Sequence, residues 1–356
     1  MEISKKPTAV ICLSPYFGGM EIDSIKLAKK LSPFMKVTIV AKEDYPIANS
    51  KNDYLGFNDI ELKTIKFKSS ISISIMSTVR KIIKENNIKN VIFFGSSELK
   101  SIYFSLLGLD INMIVRHGTT KSTPKKDWFH KLIYSSVNYH VSISNHLLLN
   151  VRDIIPFGKY TKDKLIFPSF KFTKVKHEYK KKLTLLHIGR IASGKGQLDA
   201  IKACEILIQN NIDFNFNIVG DFDKAYKDEF LSFYKNCNYK NKIHLIGFTK
   251  DIQSYLIESD IFLFPSYGEG FGNAFIEAIS NDLVCITYEN TSFIEFNRLG
   301  LHFTMSKNKD IEKLKTTILE IVQTLKHQKK LSKNHELTSE LFSEKKEINS
   351  YLDILK

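Results

Sequence analysis

The stretch FPSYGEGFGNAFIEAIS, residues 264–280, places three glycines and two glutamates at one strand-to-helix transition. Glycines at such a place expose backbone amides near the positive end of the helix. Glu269 lies in the turn and Glu277 about one and a half turns into the helix, so both carboxylates can face one pocket. Ionised carboxylates only accept hydrogen bonds, which suits them to hydroxyl groups. The alternative is that Glu269 stabilises the helix end while Glu277 points to solvent.

A second stretch, GRIASGKG at residues 189–196, carries the positive charges that the first one lacks. Arg190 offers a planar fork of donors and Lys195 a point charge, and both lie between a strand and a helix, where they suit a diphosphate. The stretch has neither the spacing of a phosphate-binding P-loop nor a G-x-G-x-x-G fingerprint. The two stretches together predict a ligand with a diphosphate and several hydroxyls.

Two motifs in the first half also follow strands. Gly18 and Gly19 precede a helix, where they admit an anion or simply form a tight turn. His117 ends a later strand in VRHGTTKS. It can bind a hydroxyl or phosphate or polarise a reacting oxygen, or it is a surface loop histidine. Arg116 is equally ambiguous, and Ser144 is most simply a helix N-cap.

Two further segments have open interpretations. Asp221 and Asp223 follow a strand and either bind a metal or form a solvated turn. The solvated turn is favoured, because the sequence already has cations for a diphosphate and two carboxylates after a glycine are common in turns. KSTPKKDWFHKLIY, residues 121–134, interleaves lysines with the only tryptophan. It either lies on an anionic membrane surface or packs one apolar side on the sheet.

Short apolar runs alternate with helical patterns along both halves, which predicts an α/β fold with parallel sheets covered by helices. The first half contains TAVICLS, VTIVAK, NVIFFGS, NMIVRHG and YHVSIS, and the second contains LTLLHIG, FNFNIVG, KIHLIG, DIFLFPS and LVCITYE. The lysine-rich segment 171–182 is the predicted linker. We therefore expect domains at 1–170 and 183–336, and a helical segment, 337–356, that either caps the second domain or crosses back to the first.

The composition indicates which partners and which cellular compartment to expect. The chain has 356 residues and a formal charge of +14, which favours anionic partners. Its four cysteines have no metal-ligand or disulfide-framework spacing, as expected for a reduced cytosolic protein. The run AVICL is too short for a signal peptide, and no stretch approaches the roughly 18 apolar residues of a membrane span.

Taken together, these motifs resemble the family-4 retaining glycosyltransferases, which have the GT-B architecture of two Rossmann-like domains facing an interdomain cleft. Glu269 and Glu277 match the paired-glutamate motif of that family, and Arg190 with Lys195 matches its basic motif. Gly18, Gly19 and His117 lie where the family has its N-terminal glycine loop and its histidine. The resemblance is strongest from about residue 183 to 290.

The resemblance implies a role for each residue. Arg190 and Lys195 would bind the donor diphosphate and stabilise the leaving group, Glu277 would hold the ribose, and Glu269 would contact the donor sugar. His117 would face the reacting region. Further donor contacts are expected from Gly19, Gly270, Phe271, Gly272 and Asn273, and acceptor contacts from Gly18, Gly19 and His117. The family needs no metal or other cofactor.

The expected function is transfer of a hexosyl-type sugar from a nucleotide-sugar, with UDP-sugar favoured, to a saccharide or lipid-linked saccharide in bacterial surface glycan biosynthesis. The enzyme would be cytoplasmic, with peripheral contact to the anionic inner face of the membrane. The alternatives are a GT-B nucleotide-sugar epimerase and a nucleic-acid-binding protein. The charge motivates the latter, but the sequence contains no nucleic-acid recognition module.

Overall fold

The computed structural model describes residues 6–15, 19–43, 60–95, 97–172, 182–331 and 333–355, with backbone only for 326–331. Gly18 and most of the predicted linker, 173–181, lie outside this part of the chain. The chain divides into a first unit, Met1–Ser169 with Glu344–Lys356, and a second unit, Phe170–Ser343. The predicted terminal segment 337–356 is thus split between the two units.

The described residues of the first unit form a seven-stranded parallel sheet in the order β3-β2-β1-β4-β5-β6-β7. Its strands are β1 Thr8–Cys12, β2 Val37–Lys42, β3 Glu61–Ile65, β4 Asn90–Phe94, β5 Asn112–His117, β6 Tyr139–Ser142 and β7 Lys162–Leu165. Its helices are α1 Gly19–Leu31, α2 Ile73–Glu85, α3 Leu99–Leu106, α4 Trp128–Tyr134, α5 Asn145–Ile154 and, at the C-terminal end of the chain, α14 Glu344–Leu352.

The described part of the second unit forms a six-stranded parallel sheet in the order β10-β9-β8-β11-β12-β13. Its strands are β8 Leu183–Ile188, β9 Phe214–Val219, β10 Ile243–Gly247, β11 Ile261–Phe264, β12 Val284–Tyr288 and β13 Thr304–Ser306. Its helices are α6 Gln197–Ala203, α7 Glu205–Gln209, α8 Lys227–Lys235, α9 Ile252–Glu258, α10 Asn273–Ser280, α11 Thr291–Arg298, α12 Ile311–Leu331 and α13 Asn334–Leu341, with a 3-10 turn at Lys240–Lys242.

The two sheets confirm the predicted α/β class with two Rossmann-like units. In each sheet the strand order reverses beside the first strand of the unit, between β1 and β4 and between β8 and β11. Central strands such as β1 and β11 are buried throughout, because helices cover both faces of a parallel sheet. Ligands of such sheets bind outside the carboxyl ends of the strands at the reversal.

Three strands escaped the sequence reading, namely β3, β7 and β13. All three are edge strands of their sheets, and their sequences ELKTI, KDKL and TMS lack an apolar run. Polar and charged residues are common on edge strands because they prevent further pairing. The hydrophobic pattern therefore detects central strands and misses these.

The C-terminal helix α14 packs within the first unit. Tyr351 is fully buried among residues of α1 and of the central strands. Glu347 accepts a hydrogen bond at 2.6 Å from the ammonium of Lys30 in α1 and one at 2.7 Å from the hydroxyl of Ser169. A mostly buried carboxylate is stabilised only with such partners, so this cluster specifies where the helix docks.

Other expectations of local structure are also settled. The hydroxyl of Ser144 accepts a hydrogen bond from the amide of Leu147 at 3.3 Å, which confirms the predicted N-cap of α5. The four cysteines are buried and free. Among the described residues, no helix is both long enough and apolar enough to cross a membrane.

Candidate active site

The candidate site lies where the order of the second sheet reverses. The loop after β8 carries Arg190 and Lys195, and the loop after β11 carries Glu269. The backbone amide of Tyr267 donates to the carbonyl of Gly194 at 2.8 Å, which joins the two loops. Two motifs that are more than seventy residues apart in sequence are thereby brought into direct contact.

Gly196 permits this close approach. Its φ is +75°, a region that disfavours side chains, and it forms the N-cap of α6. A Cβ at this position would lie 1.9 Å from the carbonyl oxygen of Pro265. Only glycine lets the start of α6 pack against the end of β11 in this way.

Lys195 and Glu269 meet at the centre of the site. The ammonium of Lys195 lies 2.7 Å from Oε1 and 2.9 Å from Oε2 of Glu269. The Glu269 side chain is 9% exposed and that of Lys195 is 31% exposed. The carboxylate is therefore mostly withdrawn from water, while part of the lysine side chain remains accessible to a ligand.

Three polar residues that are not predicted from the sequence hold the Glu269 turn. The buried hydroxyl of Ser266 donates to Oε1 of Glu269 at 2.7 Å. The hydroxyl of Thr291 accepts from the amide of Glu269 at 2.9 Å, and the side-chain amide of Asn290 donates to the carbonyl of Ser266 at 2.7 Å. Glu269 is thus positioned from its side chain and from its backbone.

Thr291 adopts an unusual backbone conformation with φ of +36°. Positive φ is disfavoured for a β-branched residue, and such strain costs on the order of 1–3 kcal/mol. Asn290 and Thr291 come just after β12, the next strand beyond β11, with Glu289 between. Extending the search for polar residues to the carboxyl end of LVCITYE would have found them, and Ser266 stands in the stretch FPSYGEG itself.

The buried carboxylate of Asp199 accepts hydrogen bonds that hold the loop after β11 in place. Asp199 in α6 accepts hydrogen bonds from the hydroxyls of Tyr267 at 3.1 Å and Tyr288 at 2.9 Å. Burial, and then the neighbouring Asp199, raises the pKa of Tyr267 to about 12. The same two effects raise the pKa of Tyr288. Both phenols stay protonated at neutral pH and act as donors that anchor the loop to the sheet.

Arg190 extends from the loop after β8 with a side chain that is 67% exposed. Its guanidinium lies 3.9 Å from the carboxylate of Asp223, and its carbonyl accepts from the side-chain amide of Gln197 at 3.0 Å. The carboxylate of Asp221 accepts from the backbone amide of Phe248 at 3.2 Å. Within the part of the chain described here, no three His, Cys, Asp or Glu side chains are grouped closely enough to hold a metal ion.

The remaining residues of the opening stretch surround the start of α10. Gly272 is the N-cap with φ of +88°, and Asn273 begins the helix. Phe271 is buried and stacks on Phe170 with ring centroids 6.0 Å apart, so its side chain belongs to the core. Gly270 and Glu277 are partly exposed. Glu277 lies on α10 as predicted, one turn before the end of the helix.

The first unit contains the other predicted residues. Gly19 is the first residue of α1, and His117 ends β5 as expected. His117 is not a surface residue, since it is 2% exposed and its Nε2 lies 2.8 Å from Nδ1 of His140. Burial, with a smaller effect of His140, holds the pKa of His117 well below its usual value, so the imidazole is neutral. Its predicted part in the reaction stays a prediction.

Arg116 is held by an ion pair and an aromatic contact within the first unit. It is buried, its guanidinium lies 3.0 Å from the carboxylate of Asp23, and it stacks 4.8 Å above the ring of Phe94. The structure thus brings Lys195 and Glu269 into direct contact. Arg190 lies on the same loop as Lys195, and the residues at the start of α10 follow the loop that carries Glu269. Gly19 and His117 lie in the other unit.

Two parallel sheets, each with a reversal of strand order beside the first strand of its unit, define a Rossmann-like class of α/β protein. Residues 169–338 match the family model described as "Glycosyl transferases group 1". The matched region lies almost entirely within the second unit and includes the whole candidate site of that unit.

Curated relatives share parts of the chain. The capsular polysaccharide biosynthesis glycosyltransferase CapH of Staphylococcus aureus is 27% identical over 226 residues, which cover 58% of this chain and 61% of CapH. A UDP-Gal:alpha-D-GlcNAc-diphosphoundecaprenol alpha-1,3-galactosyltransferase of Escherichia coli is 36% identical over 101 residues, 28% of this chain and 26% of that protein. The chain thus spans less than two thirds of these relatives.

Solved structures agree with the fold over nearly the full length. Anabaena Alr3699/HepE in complex with UDP superposes with a TM-score of 0.80 at 14% identity, covering 98% of this chain and 99% of HepE. A glycosyltransferase from Rickettsia africae has a TM-score of 0.83 at 18% identity, covering 99% and 98%. These similarities establish the GT-B-like fold.

Proposed function

We propose that this protein is a retaining, metal-independent glycosyltransferase. It would move a hexosyl-type sugar from a nucleotide-sugar, with UDP-sugar favoured, to a saccharide or lipid-linked saccharide during biosynthesis of a bacterial surface glycan. The observation that carries the proposal is the contact of Lys195 with Glu269 at the strand reversal of the second sheet. The names of CapH and the Escherichia coli galactosyltransferase support the class of product and acceptor, and the UDP complex of HepE supports the donor.

The donor would be held by charges of both signs. Lys195 has three N–H donors, and its contacts with the two oxygens of Glu269 leave one for a phosphate oxygen. The exposed guanidinium of Arg190 would take the other phosphate. Glu269 and Glu277 would accept hydrogen bonds from the sugar and ribose hydroxyls, with the backbone of Gly270, Phe271, Gly272 and Asn273 around the sugar.

The reaction separates a nucleoside diphosphate from the anomeric carbon of the sugar. Cations already placed at the diphosphate stabilise the negative charge that develops there, and the sugar passes through an oxocarbenium-like state. The acceptor hydroxyl oxygen forms the new bond on the same face, and its proton passes to the departing phosphate oxygen. We assign Gly18, Gly19 and His117 to the acceptor side, and Gly19 also to the donor phosphates, on the resemblance of their motifs.

The first experiment incubates the protein with a panel of nucleotide-sugars and measures released nucleoside diphosphate. We expect one UDP-sugar to be consumed, with turnover at least about tenfold lower in Glu277→Ala and in Lys195→Ala, equivalent to roughly 1.4 kcal/mol of barrier. Lys235→Ala and Glu229→Ala are matched controls, since both residues are exposed on α8. Normal turnover in both site variants contradicts the assignment, and conversion of the donor to an epimer without acceptor identifies an epimerase instead.

Metal independence has its own test. The same assay is repeated after treatment with EDTA, and the activity is expected to stay the same because Arg190 and Lys195 supply the charge that a divalent ion would otherwise provide. Loss of activity that is restored by a divalent ion would refute this part of the proposal and would direct attention to Asp221 and Asp223.

We further propose that the first unit contacts the anionic cytoplasmic face of the membrane. In α4, Ile133 and Tyr134 are buried on the core, whereas Trp128 is 76% and Leu132 42% exposed. Exposed lysines, among them Lys131, flank these two side chains. Tryptophan with lysine suits the interface of an anionic bilayer. Co-sedimentation with phosphatidylglycerol vesicles should fall in Trp128→Ala but not in Tyr160→Ala, and equal sedimentation of the Trp128 variant and the wild type would contradict the proposal.

A further inference from the structure

A basic cavity of about 540 Å³ opens at the amino edge of the first sheet. It lies at the starts of β5, β6 and β7, beside Asn112, Tyr139 and Lys162. Strands rise about 3.3 Å per residue, so the five steps from Asn112 to His117 place this cavity roughly 17 Å from the carboxyl edge where His117 lies. The cavity is therefore separate from the acceptor motifs and belongs to no site described above.

The lining of this amino-edge cavity is strongly positive. Asp110 is the one acidic residue in the lining. Four lysines from three segments of the chain converge on the cavity, namely Lys6, Lys89, Lys159 and Lys162. None of the four forms an ion pair with a residue in the described part of the chain, whereas Lys164, on β7, pairs with Asp353 at 3.2 Å. Unneutralised charges of one sign in a concavity raise the local concentration of oppositely charged ligands.

The wall of the cavity is built from fixed backbone. In the turn 158–161, the amide of Gly158 donates to the hydroxyl of Thr161 at 3.0 Å, and that hydroxyl donates to the carbonyl of Val137 at 2.7 Å. The amide of Lys162 donates to the carbonyl of Asn138 at 2.9 Å. The backbone that carries Lys159, Tyr160 and Lys162 is thus held in place before any ligand binds, which reduces the entropic cost of binding.

Tyr160 adds a flat surface at the mouth. It is 78% exposed, and the ammonium of Lys159 lies 5.3 Å from the centre of its ring. The partly buried Tyr139 lies in the same lining. Lysines act as point charges, and here they are spread over a cavity that is large enough for several linked rings. An extended ligand with repeated negative groups fits this distribution better than a single compact diphosphate.

We infer that the amino-edge cavity binds an acidic stretch of the glycan acceptor, away from its reacting end. This rests on the proposed function, because that function makes a glycan chain the ligand that the protein meets. It names the acceptor class as an anionic saccharide, whose carboxylates or phosphates would pair with the four lysines while sugar rings lie on Tyr160. The cavity would retain the growing chain while its end reaches the carboxyl edge.

The test measures binding of a fluorescein-labelled oligogalacturonate by fluorescence anisotropy at low and physiological salt. The cavity variant is Lys89→Gln, Lys159→Gln and Lys162→Gln together. The matched control carries the same loss of charge at exposed lysines of the same unit, as Lys26→Gln, Lys68→Gln and Lys84→Gln. UDP binding by calorimetry is measured in all three proteins, and a neutral malto-oligosaccharide and single-stranded DNA are the comparison ligands.

We expect the affinity for oligogalacturonate to fall at least about tenfold in the cavity variant and less than about threefold in the control, with UDP binding unchanged. Absence of binding to the wild type, equal losses in the two variants, equal binding of the neutral saccharide, or tighter cavity-dependent binding of DNA would each overturn the inference. Failure of the wild type to bind UDP or any nucleotide-sugar would instead count against the proposed function, since the saccharide measurement does not depend on it.

Discussion

Replacing Lys195 by methionine probes the contact that organises the site. The substitution keeps most of the apolar stem and removes the ammonium that lies 2.7 and 2.9 Å from the oxygens of Glu269. The Glu269 side chain, only 9% exposed, then keeps the hydroxyl of Ser266 at 2.7 Å as its side-chain donor. Hydrogen bonds to charged groups contribute roughly 1.5–3 kcal/mol net. Because the lysine is 31% exposed, solvent screening lowers the expected loss to about 1–2 kcal/mol.

Calorimetry of the purified protein measures this loss. A destabilisation of that size should lower the melting temperature of the second unit by about 2–8 °C. Lys235→Met is the control, because Lys235 is exposed at the end of α8, and it should leave the transition within about 1 °C.

A double-mutant cycle makes the test specific. Glu269→Gln removes the negative charge and keeps the shape of the side chain, so Lys195→Met should cost much less in that background. We expect a coupling free energy of about 1 kcal/mol between the two positions. If the separate losses add within about 0.5 kcal/mol, the two side chains do not stabilise one another and the reasoning is refuted.

Two further predictions concern stability. Gly196→Ala should cost about 2–5 kcal/mol, since its Cβ would lie 1.9 Å from the Pro265 carbonyl oxygen and its φ is +75°. Gly194→Ala has a similar φ of +85° with ordinary contacts and should cost only about 1–2 kcal/mol, so equal midpoints in urea would contradict the packing argument. His187 is fully buried and donates to the Leu263 carbonyl, and burial lowers its pKa to about 3. Between about pH 6.5 and 3 the unfolded chain binds a proton at this histidine that the folded chain does not. The free energy of unfolding is therefore highest above this window and falls as the pH drops through it, by about 2 kcal/mol between pH 7 and 5. His187→Leu should lose this part of the pH dependence in denaturation experiments, and an unchanged slope would show that His187 does not titrate in this range.

Much of the candidate site could be predicted because parallel α/β sheets bind ligands at the carboxyl ends of their strands. Searching after each apolar run found Arg190, Lys195 and Glu269, which the structure places on two loops joined at a strand reversal. Ser266 and Thr291 escaped that search. Their hydroxyls carry no charge, and only the folded turn shows that one holds the side chain of Glu269 and the other its backbone.

His117 shows the opposite limit. The sequence correctly ended β5 at this residue but left open whether its ring is a surface group. Burial depends on β6, since His140 comes from that neighbouring strand and lies 2.8 Å from the His117 ring. The residues around VRHGTTKS do not indicate that His140 is the neighbour of His117, because His140 is 23 residues away in sequence.

The sequence by itself determined the class of fold, the central strands and the residue types of the site. Hydrophobic periodicity and the glycines, lysine and glutamates at strand ends are local properties, so they can be read without coordinates. Only the tertiary structure decided which of these groups meet. Lys195 and Glu269 come into contact because the strand order reverses between β8 and β11. The four lysines of the amino-edge cavity converge because β1, β4 and β7, which they precede or begin, all start at the same edge of the sheet. Strand order and long-range packing depend on contacts between distant segments, which no short stretch of sequence encodes.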